Sequence, residues 1–342
     1  MATVGMGHRA RTRRAATAVA LLAATAAASL AAGCTGGRGS DDGRGQLRTP
    51  AESRSEGEAE SPGESPSESA AAGSVLAVKI DNARAARPHT GLNSADIVYA
   101  EQVEGGMSRL MAVYATKPPK AVGPVRSARE SDLELLRQFD RPTLAFSGAQ
   151  GKLMPLINEA PLVVQTPGKV SGAYYRGTDK PSPHNLYLRP DRLLSAAPGA
   201  DALTTGFRYG AAPSGGQKET SRTVRFPAAR FTFTWSADRD RWLVSMDGTP
   251  TVTTDGKRVA PATVVVQYVN VRKSGFQDFL GNNTPYTETV GEGTAEVLRG
   301  GRAYDVNWSR PKATEGTEFT TSDGTPVNFA KGQVWVVFAK AS

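Results

Sequence analysis

The chain has 342 residues, 41 Lys and Arg against 33 Asp and Glu for a formal charge of +8, and one cysteine. A single cysteine excludes a disulfide framework and a cysteine-rich zinc site. The charge is uneven: residues 1–34 hold four Arg and no acid and residues 35–72 hold four Arg against eight acids, which leaves +8 on 73–342. A basic folded part suits an acidic partner, such as anionic lipid heads or wall polymers. Nucleic acid is not expected outside the cell.

Arg9, Arg11, Arg13 and Arg14 precede an uncharged Ala/Leu-rich run over residues 15–32, followed by Leu30-Ala31-Ala32-Gly33-Cys34. This order reads as an export signal: basic residues, an apolar stretch, then small residues at a cut site. Residues 1–33 are therefore expected to be a lipoprotein signal peptide. Cys34 would be the acylated (palmitate-carrying) first residue of the mature chain, holding it to the extracytoplasmic face of the cell membrane. A plain membrane anchor or a cleaved secretory signal is the alternative, although the run is short for a spanning helix. Export by the general or the twin-arginine route stays open, since Thr12-Arg13-Arg14 is followed by alanines. Residues 34–72 are Gly, Ser, Glu and Pro with almost no apolar residue. They cannot bury enough surface to offset the entropy of ordering and are expected to be a disordered tether.

Folded structure is expected from residue 75. Residues 75–80 read as a buried strand ending in Asp81-Asn82, and 83–94 as a loop. Residues 96–104 and 107–116 read as a hairpin about a two-residue Gly105-Gly106 turn. That turn sets 104 opposite 107 and 102 opposite 109. Gln102, Glu104, Met107 and Arg109 would then share one face, and Tyr99, Val103, Ser108 and Leu110 the other. Ser127-Ala128-Arg129-Glu130 fits a capping box, which predicts a helix to about Phe139, or one starting a turn later from Ser131. Short strands at 143–146, 162–165 and 173–176 and helices at 150–158 and 190–197 complete a first domain. Residues 198–221 mark a boundary. Beyond it the pattern is β throughout, with strands at 230–235, 241–246, 263–269, 294–298, 303–308 and 334–339. The expected class is α+β: a mixed α/β N-terminal domain over 73–200 and a β-rich C-terminal domain over 218–342.

Polar residues of the first domain collect at Asp81-Asn82, at Glu101 and Glu104 with Arg109, at Arg126-Ser127-Ala128-Arg129, and at Pro183-His184-Asn185. Two arginines at a helix start add charge of the same sign as the free amides there, and an anion would relieve it. This predicts a ligand-binding set of Arg126, Arg129 and Arg109, shaped by Asn82 and Asn185. The same residues also permit a purely structural reading, with the arginines paired to Glu104, Glu130 or Glu134. Glu101, if buried, needs a partner or a raised pKa. Catalytic candidates are Glu104, His184 and Asp81, because His8 lies in the signal and only His89 and His184 could supply an imidazole base. No metal is expected, since Asp81, Asp96, Glu101 and Glu104 are irregularly spaced, and no cofactor motif is present. Trp235, Trp242, Trp308 and Trp335 fit core packing, or sugar stacking if one is exposed.

The stretches VLAVKIDN (75–82), ARPHTGLNSADIVYAEQVEGGMSRLMAVY (86–114), GPVRSARE (123–130) and PHNLY (183–187), and more loosely TVVVQYV (263–269) and GQVWVVF (332–338), resemble the YerB-like lipoproteins. That resemblance covers roughly 75–342 and implies an envelope lipoprotein of two domains with no assigned reaction. It also implies a His and an Asp at 250–253, where this chain reads Pro-Thr-Val-Thr. The expected function is a tethered envelope protein, held at the membrane by its lipid, that binds an anionic wall polymer or peptidoglycan. The alternative is an envelope hydrolase or transferase acting on glycan or phosphodiester bonds, with Glu104 or Asp81 as acid/base and His184 as proton shuttle.

Overall fold

The structure, a computed structural model, describes residues 74–278 and 280–342. The expected signal peptide, Cys34 and tether lie outside the described residues. The first half runs β1 (Leu76–Asp81), β2 (Ile97–Gln102), β3 (Ser108–Tyr114), α1 (Glu130–Leu136), β4 (Thr143–Ala145), α2 (Met154–Glu159), β5 (Val163–Gln165), β6 (Tyr174–Arg176) and β7 (Leu186–Leu188). The second runs β8 (Gln217–Lys218), β9 (Ser221–Phe226), β10 (Ala229–Ser236), β11 (Arg241–Met246), β12 (Thr249–Pro250), β13 (Thr263–Val269), β14 (Val271–Gln277), β15 (Asn283–Thr287), β16 (Gly291–Arg299), β17 (Arg302–Arg310), β18 (Glu318–Thr320) and β19 (Val334–Lys340).

Strands from both halves build one mixed sheet of order β18-β17-β16-β13-β19-β2-β3-β1-β4-β5, with β8 added beside β17. The halves join where β19 runs parallel to both β13 and β2. A second sheet, β12-β11-β10-β9, covers one face of the first through Phe231, Phe233, Trp242 and Val244. On the opposite face Leu135 and Leu136 of α1 and Ile157 of α2 pack over Ala77, Tyr99 and Met111. Burial on both faces explains why β1 and β3 read as near-continuous apolar runs instead of alternating ones.

The fold is β-rich, which corrects the expected α+β class with a mixed α/β first domain. Among the described residues two α-helices, of seven and six residues, stand against nineteen strands. The helix expected from Ser127 starts at Glu130, because 124–128 is extended and bonded as a strand would be: Arg126 N–H donates to Lys79 O (2.8 Å) and Ala128 N–H to Gly148 O (3.0 Å). The helix expected from 150 starts at Met154, with Pro155 in its first turn, where its missing N–H costs nothing. Residues 190–192 make only a single 3-10 turn.

The β2–β3 hairpin departs from its expected register. Glu101 faces Arg109 and Gln102 faces Ser108. Glu104–Gly106 form a 3-10 turn, with Val103 N–H donating to Met107 O (2.8 Å). Gly105 and Gly106 both take positive φ, 66° and 70°, as a tight turn needs, but the turn takes in Glu104 as well and so holds one residue more than expected, on the β2 side. A slip of one residue moves every side chain to the other face. Arg109 therefore lies on the face of Glu101, Asp81 and Lys79, under α1. Trp242, Trp308 and Trp335 are buried and Trp235 is half-buried, so no tryptophan stands out as a sugar platform.

Candidate functional site

β1 ends at Asp81, and three segments converge on it. Asp81 lies opposite Arg109 of β3. On its other side the extended segment 124–128 runs alongside, with Asp81 N–H donating to Pro124 O (2.8 Å). The β6–β7 hairpin docks on that segment through Val125 N–H to Leu186 O (2.6 Å), which brings His184 and Asn185 to the end of β1. Residues separated by a hundred positions thus meet because one short strand pairs on both edges.

Asp81 is buried, and its Oδ2 lies 2.8 Å from His184 Nδ1 and 3.4 Å from Arg126 Nε. Ala83 N–H donates to Oδ1 (3.1 Å). A carboxylate only accepts, so His184 carries its proton on Nδ1 and, when neutral, leaves Nε2 as a lone pair. The His184 side chain is 21% exposed and that of Arg126 26%, so both can meet a solute. His89 cannot. Its Nε2–H donates to Asp81 O (2.9 Å) in a fully buried position, its Nδ1 has no partner among the described residues, and burial pulls its pKa down to about 4.

The three arginines are unequally engaged. Arg129 is tied down: Nε lies 2.7 Å from Glu104 Oε1, one terminal nitrogen donates to Glu104 Oε2 (2.8 Å), and the other to Ala128 O (2.9 Å) and Ser127 O (3.3 Å). Thr284 Oγ1–H also donates to Glu104 Oε1 (2.5 Å). Burial raises the Glu104 pKa, but the Arg129 hydrogen bond and charge outweigh it, and Thr284 adds to them, so the net shift is downward. Glu104 is therefore held ionised. It meets Arg129, whereas His184 and Arg126 meet at Asp81, so Glu104 and His184 share no contact.

Arg109 is the outlier. Its residue is 9% exposed, yet among the described residues its guanidinium makes one hydrogen bond, to Ser127 O (3.2 Å), and no ion pair. Its pKa falls to about 10, first through burial and then through the like charge of Arg129. Arg126 has no side-chain partner among the described residues beyond Asp81. The helix start contributes less than expected, because Asp132 Oδ2 already accepts the Arg129 N–H (2.7 Å).

Asn82 and Asn185 have their side chains in internal bonds. Asn82 donates to Ser108 Oγ (2.9 Å) and accepts from Arg87 Nε (3.2 Å). Asn185 accepts from Arg176 (2.7 Å) and donates to Gly177 O (2.8 Å), which fixes the loop that carries His184.

Sequence reasoning missed Lys79. It is fully buried on the same face, two residues from Asp81, with its ammonium on Glu101 and on Asp132 Oδ1 (2.6 Å). Ser131 Oγ–H donates to the other oxygen of Glu101 (3.2 Å). Burial raises the Glu101 pKa, with Lys79 opposing. The signal was a lone lysine inside an apolar strand. Reasoning also missed a cavity of about 460 Å³ beside Arg129, reached by Phe276, Gln277 and Asp278 of β14 and its turn. Among the described residues no group of three His, Cys, Asp or Glu could hold a metal, and no helix is long and apolar enough to cross a membrane.

Residues 62–203 match the family described as "Protein of unknown function (DUF3048) N-terminal domain", and 222–336 match the corresponding C-terminal domain. The "Putative lipoprotein YerB" of Bacillus subtilis (strain 168) is 24% identical over 277 residues, which covers 76% of this chain and 80% of that protein. The crystal structure of the YerB protein from Bacillus subtilis superposes with a TM-score of 0.64 at 20% identity, over 78% of this chain and 91% of that one, and so shares the fold. The chain belongs to the YerB-like family, whose function is unknown.

Proposed function

We propose that this chain is a lipid-anchored protein of the extracytoplasmic membrane face whose folded part binds an anionic envelope ligand at Arg126 and Arg109, beside Asp81 and His184. The name of the Bacillus subtilis relative supports the anchor, as does the order of residues before Cys34. One observation carries the site: a buried guanidinium, Arg109, with no ion-paired carboxylate among the described residues. A buried charge is normally paired, because leaving it unpaired costs several kcal/mol. Among the described residues Arg126 pairs with Asp81, Arg129 pairs with Glu104 and Arg109 has no ion pair, and a bound anion would balance the remaining charge with charge-assisted hydrogen bonds. Phosphate and carboxylate are the groups whose geometry matches a guanidinium fork.

Isothermal titration of the full chain with inorganic phosphate tests this. Arg126→Ala and Arg109→Met are each expected to weaken binding by about 10- to 100-fold, the worth of a hydrogen bond to a charged group. Equal affinity in wild type and both variants would refute the site.

One observation favours a second reading, an envelope hydrolase or transferase. Asp81 orients His184 so that Nε2 is the free base, which is how a general base is set up. Turnover of a phosphodiester that is lost in His184→Asn and kept in Glu104→Gln would support it. Binding without turnover would leave the receptor reading alone.

A further inference from the structure

The cavity beside Arg129 has a chemistry of its own. Its volume of about 460 Å³ lies in the range of small-ligand sites and gives room for roughly fifteen waters at about 30 Å³ each. That is enough for a sugar ring with its substituents. The walls mix two kinds of surface. Phe276, Leu153 and Ala149 supply apolar area, and Gln150, Gln277 and Asp278 supply amides and a carboxylate. The side-chain oxygen of Gln150 has no hydrogen-bond partner among the described residues, which is costly for a buried acceptor.

This mixture selects among ligands. A hydrocarbon chain would leave the Gln150 oxygen without a partner and strip water from Gln277, and would lose free energy. A polyol ring presents C–H faces to a phenyl ring and hydroxyls, each both donor and acceptor, to amides and carboxylates. Ser127 then joins the two sites. It lines the cavity, and its carbonyl accepts from both Arg129 (3.3 Å) and Arg109 (3.2 Å). Arg109 therefore meets Arg129 at a carbonyl of the cavity lining.

We infer that the ligand is an anionic saccharide, with its sugar ring in the Phe276–Gln150 cavity and its phosphate or carboxylate on Arg109 and Arg126; this rests on the anion site proposed above. Titrations of the full chain with inorganic phosphate, glucose, glucose 6-phosphate and glucuronate test it. At least one charged sugar is expected to bind tenfold or more tighter than both phosphate and glucose. Phe276→Ala, and independently Gln150→Ala, should remove that gain and leave phosphate affinity unchanged. If the charged sugars bind no tighter than phosphate, or bind tightly but ignore both cavity variants, the inference falls, and phosphate binding that still depends on Arg126 leaves the anion site standing. Phosphate binding indifferent to Arg126→Ala removes the anion site itself.

Discussion

Two polar clusters sit side by side on one face of the β1–β3 sheet, and they are built to opposite specifications. The inner one is Lys79, Glu101 and Asp132 with Ser131. It is buried, and Lys79 meets both carboxylates. The outer one begins two residues further along β1, at Asp81, with His184, Arg126 and Arg109. It is partly open to solvent and has more guanidinium donors than the protein uses. The same strand thus carries a closed ionic lock and an open, cation-rich site. The contrast separates buried charge that the protein itself neutralises from guanidinium donors left unused near an accessible edge.

The sharpest way to break this contrast is to cut the lock. Lys79→Met leaves Glu101 and Asp132 buried without their cation, and removing one partner of a buried pair costs about 3–5 kcal/mol. Urea denaturation should show that loss. A change under about 1 kcal/mol would mean the inner cluster is not structural and would erase the distinction.

His89 offers a pH test of the floor beneath the outer cluster. Its folded pKa of about 4 lies below the unfolded value of 6.5, so the unfolded chain binds the proton more readily between those values. The stability held by neutral His89 is full above pH 6.5 and is lost as pH falls toward 4, roughly 3 kcal/mol in all. Stability measured from pH 7 to 4 should slope downward with acid, and His89→Gln should flatten that slope. Glu104, with its lowered pKa, adds a loss of the same sign at lower pH, below its ordinary value of 4.5. Glu101, with a raised pKa, acts oppositely, favouring the folded state at low pH and losing that contribution as pH rises above 4.5.

The outer cluster should respond in reverse. Arg109→Met removes a buried cation whose one hydrogen bond among the described residues goes to a backbone carbonyl, and which sits among Arg129 and Arg126 as well as Asp81 and Glu104. Folding stability should stay level or rise by up to about 2 kcal/mol, as when a buried ion gives way to an apolar group of similar volume. Anion affinity should fall at least tenfold in the same variant. A residue whose loss stabilises the fold and abolishes binding is retained for binding. A variant that instead unfolds would move Arg109 into the same class as Lys79.

The two clusters also differ in how far sequence alone reveals them. Most second-half strands and the β2–β3 hairpin could be read from alternation and from Asp-Gly and Gly-Gly turns, which are local signals. Arg126, Arg109, Asp81 and His184 could be named as polar residues in uncommon strings. What could not be read was register. Gly105-Gly106 permits more than one turn, and a slip of one residue decides whether Arg109 faces Glu101 or Gln102. Lys79 was passed over because its partners, Glu101 and Asp132, lie 22 and 53 residues away. The Ser127 capping box places the first helix too early, because the backbone N–H groups of Arg126 and Ala128 bond to β1 and to Gly148. Tertiary pairing outweighs such weak local preference.

The smallest expected effect separates the parts of the outer cluster from one another. Asp81 holds His184 but also offers Arg126 a competing carboxylate at 3.4 Å. Asp81→Asn keeps an acceptor oxygen for the Ala83 N–H and removes the negative charge. Coulomb repulsion between Asp81 and an incoming anion is then lost, an effect of about 1 kcal/mol near a solvated edge. Phosphate should bind several-fold tighter, and more so at low salt. If Asp81→Asn weakens binding instead, the carboxylate is acting through His184, holding it as a donor to the anion, and the imidazole belongs with the arginines in the binding set. Titrating Asp81→Asn and His184→Asn separately distinguishes the two, because only in the second case do both variants lose affinity together.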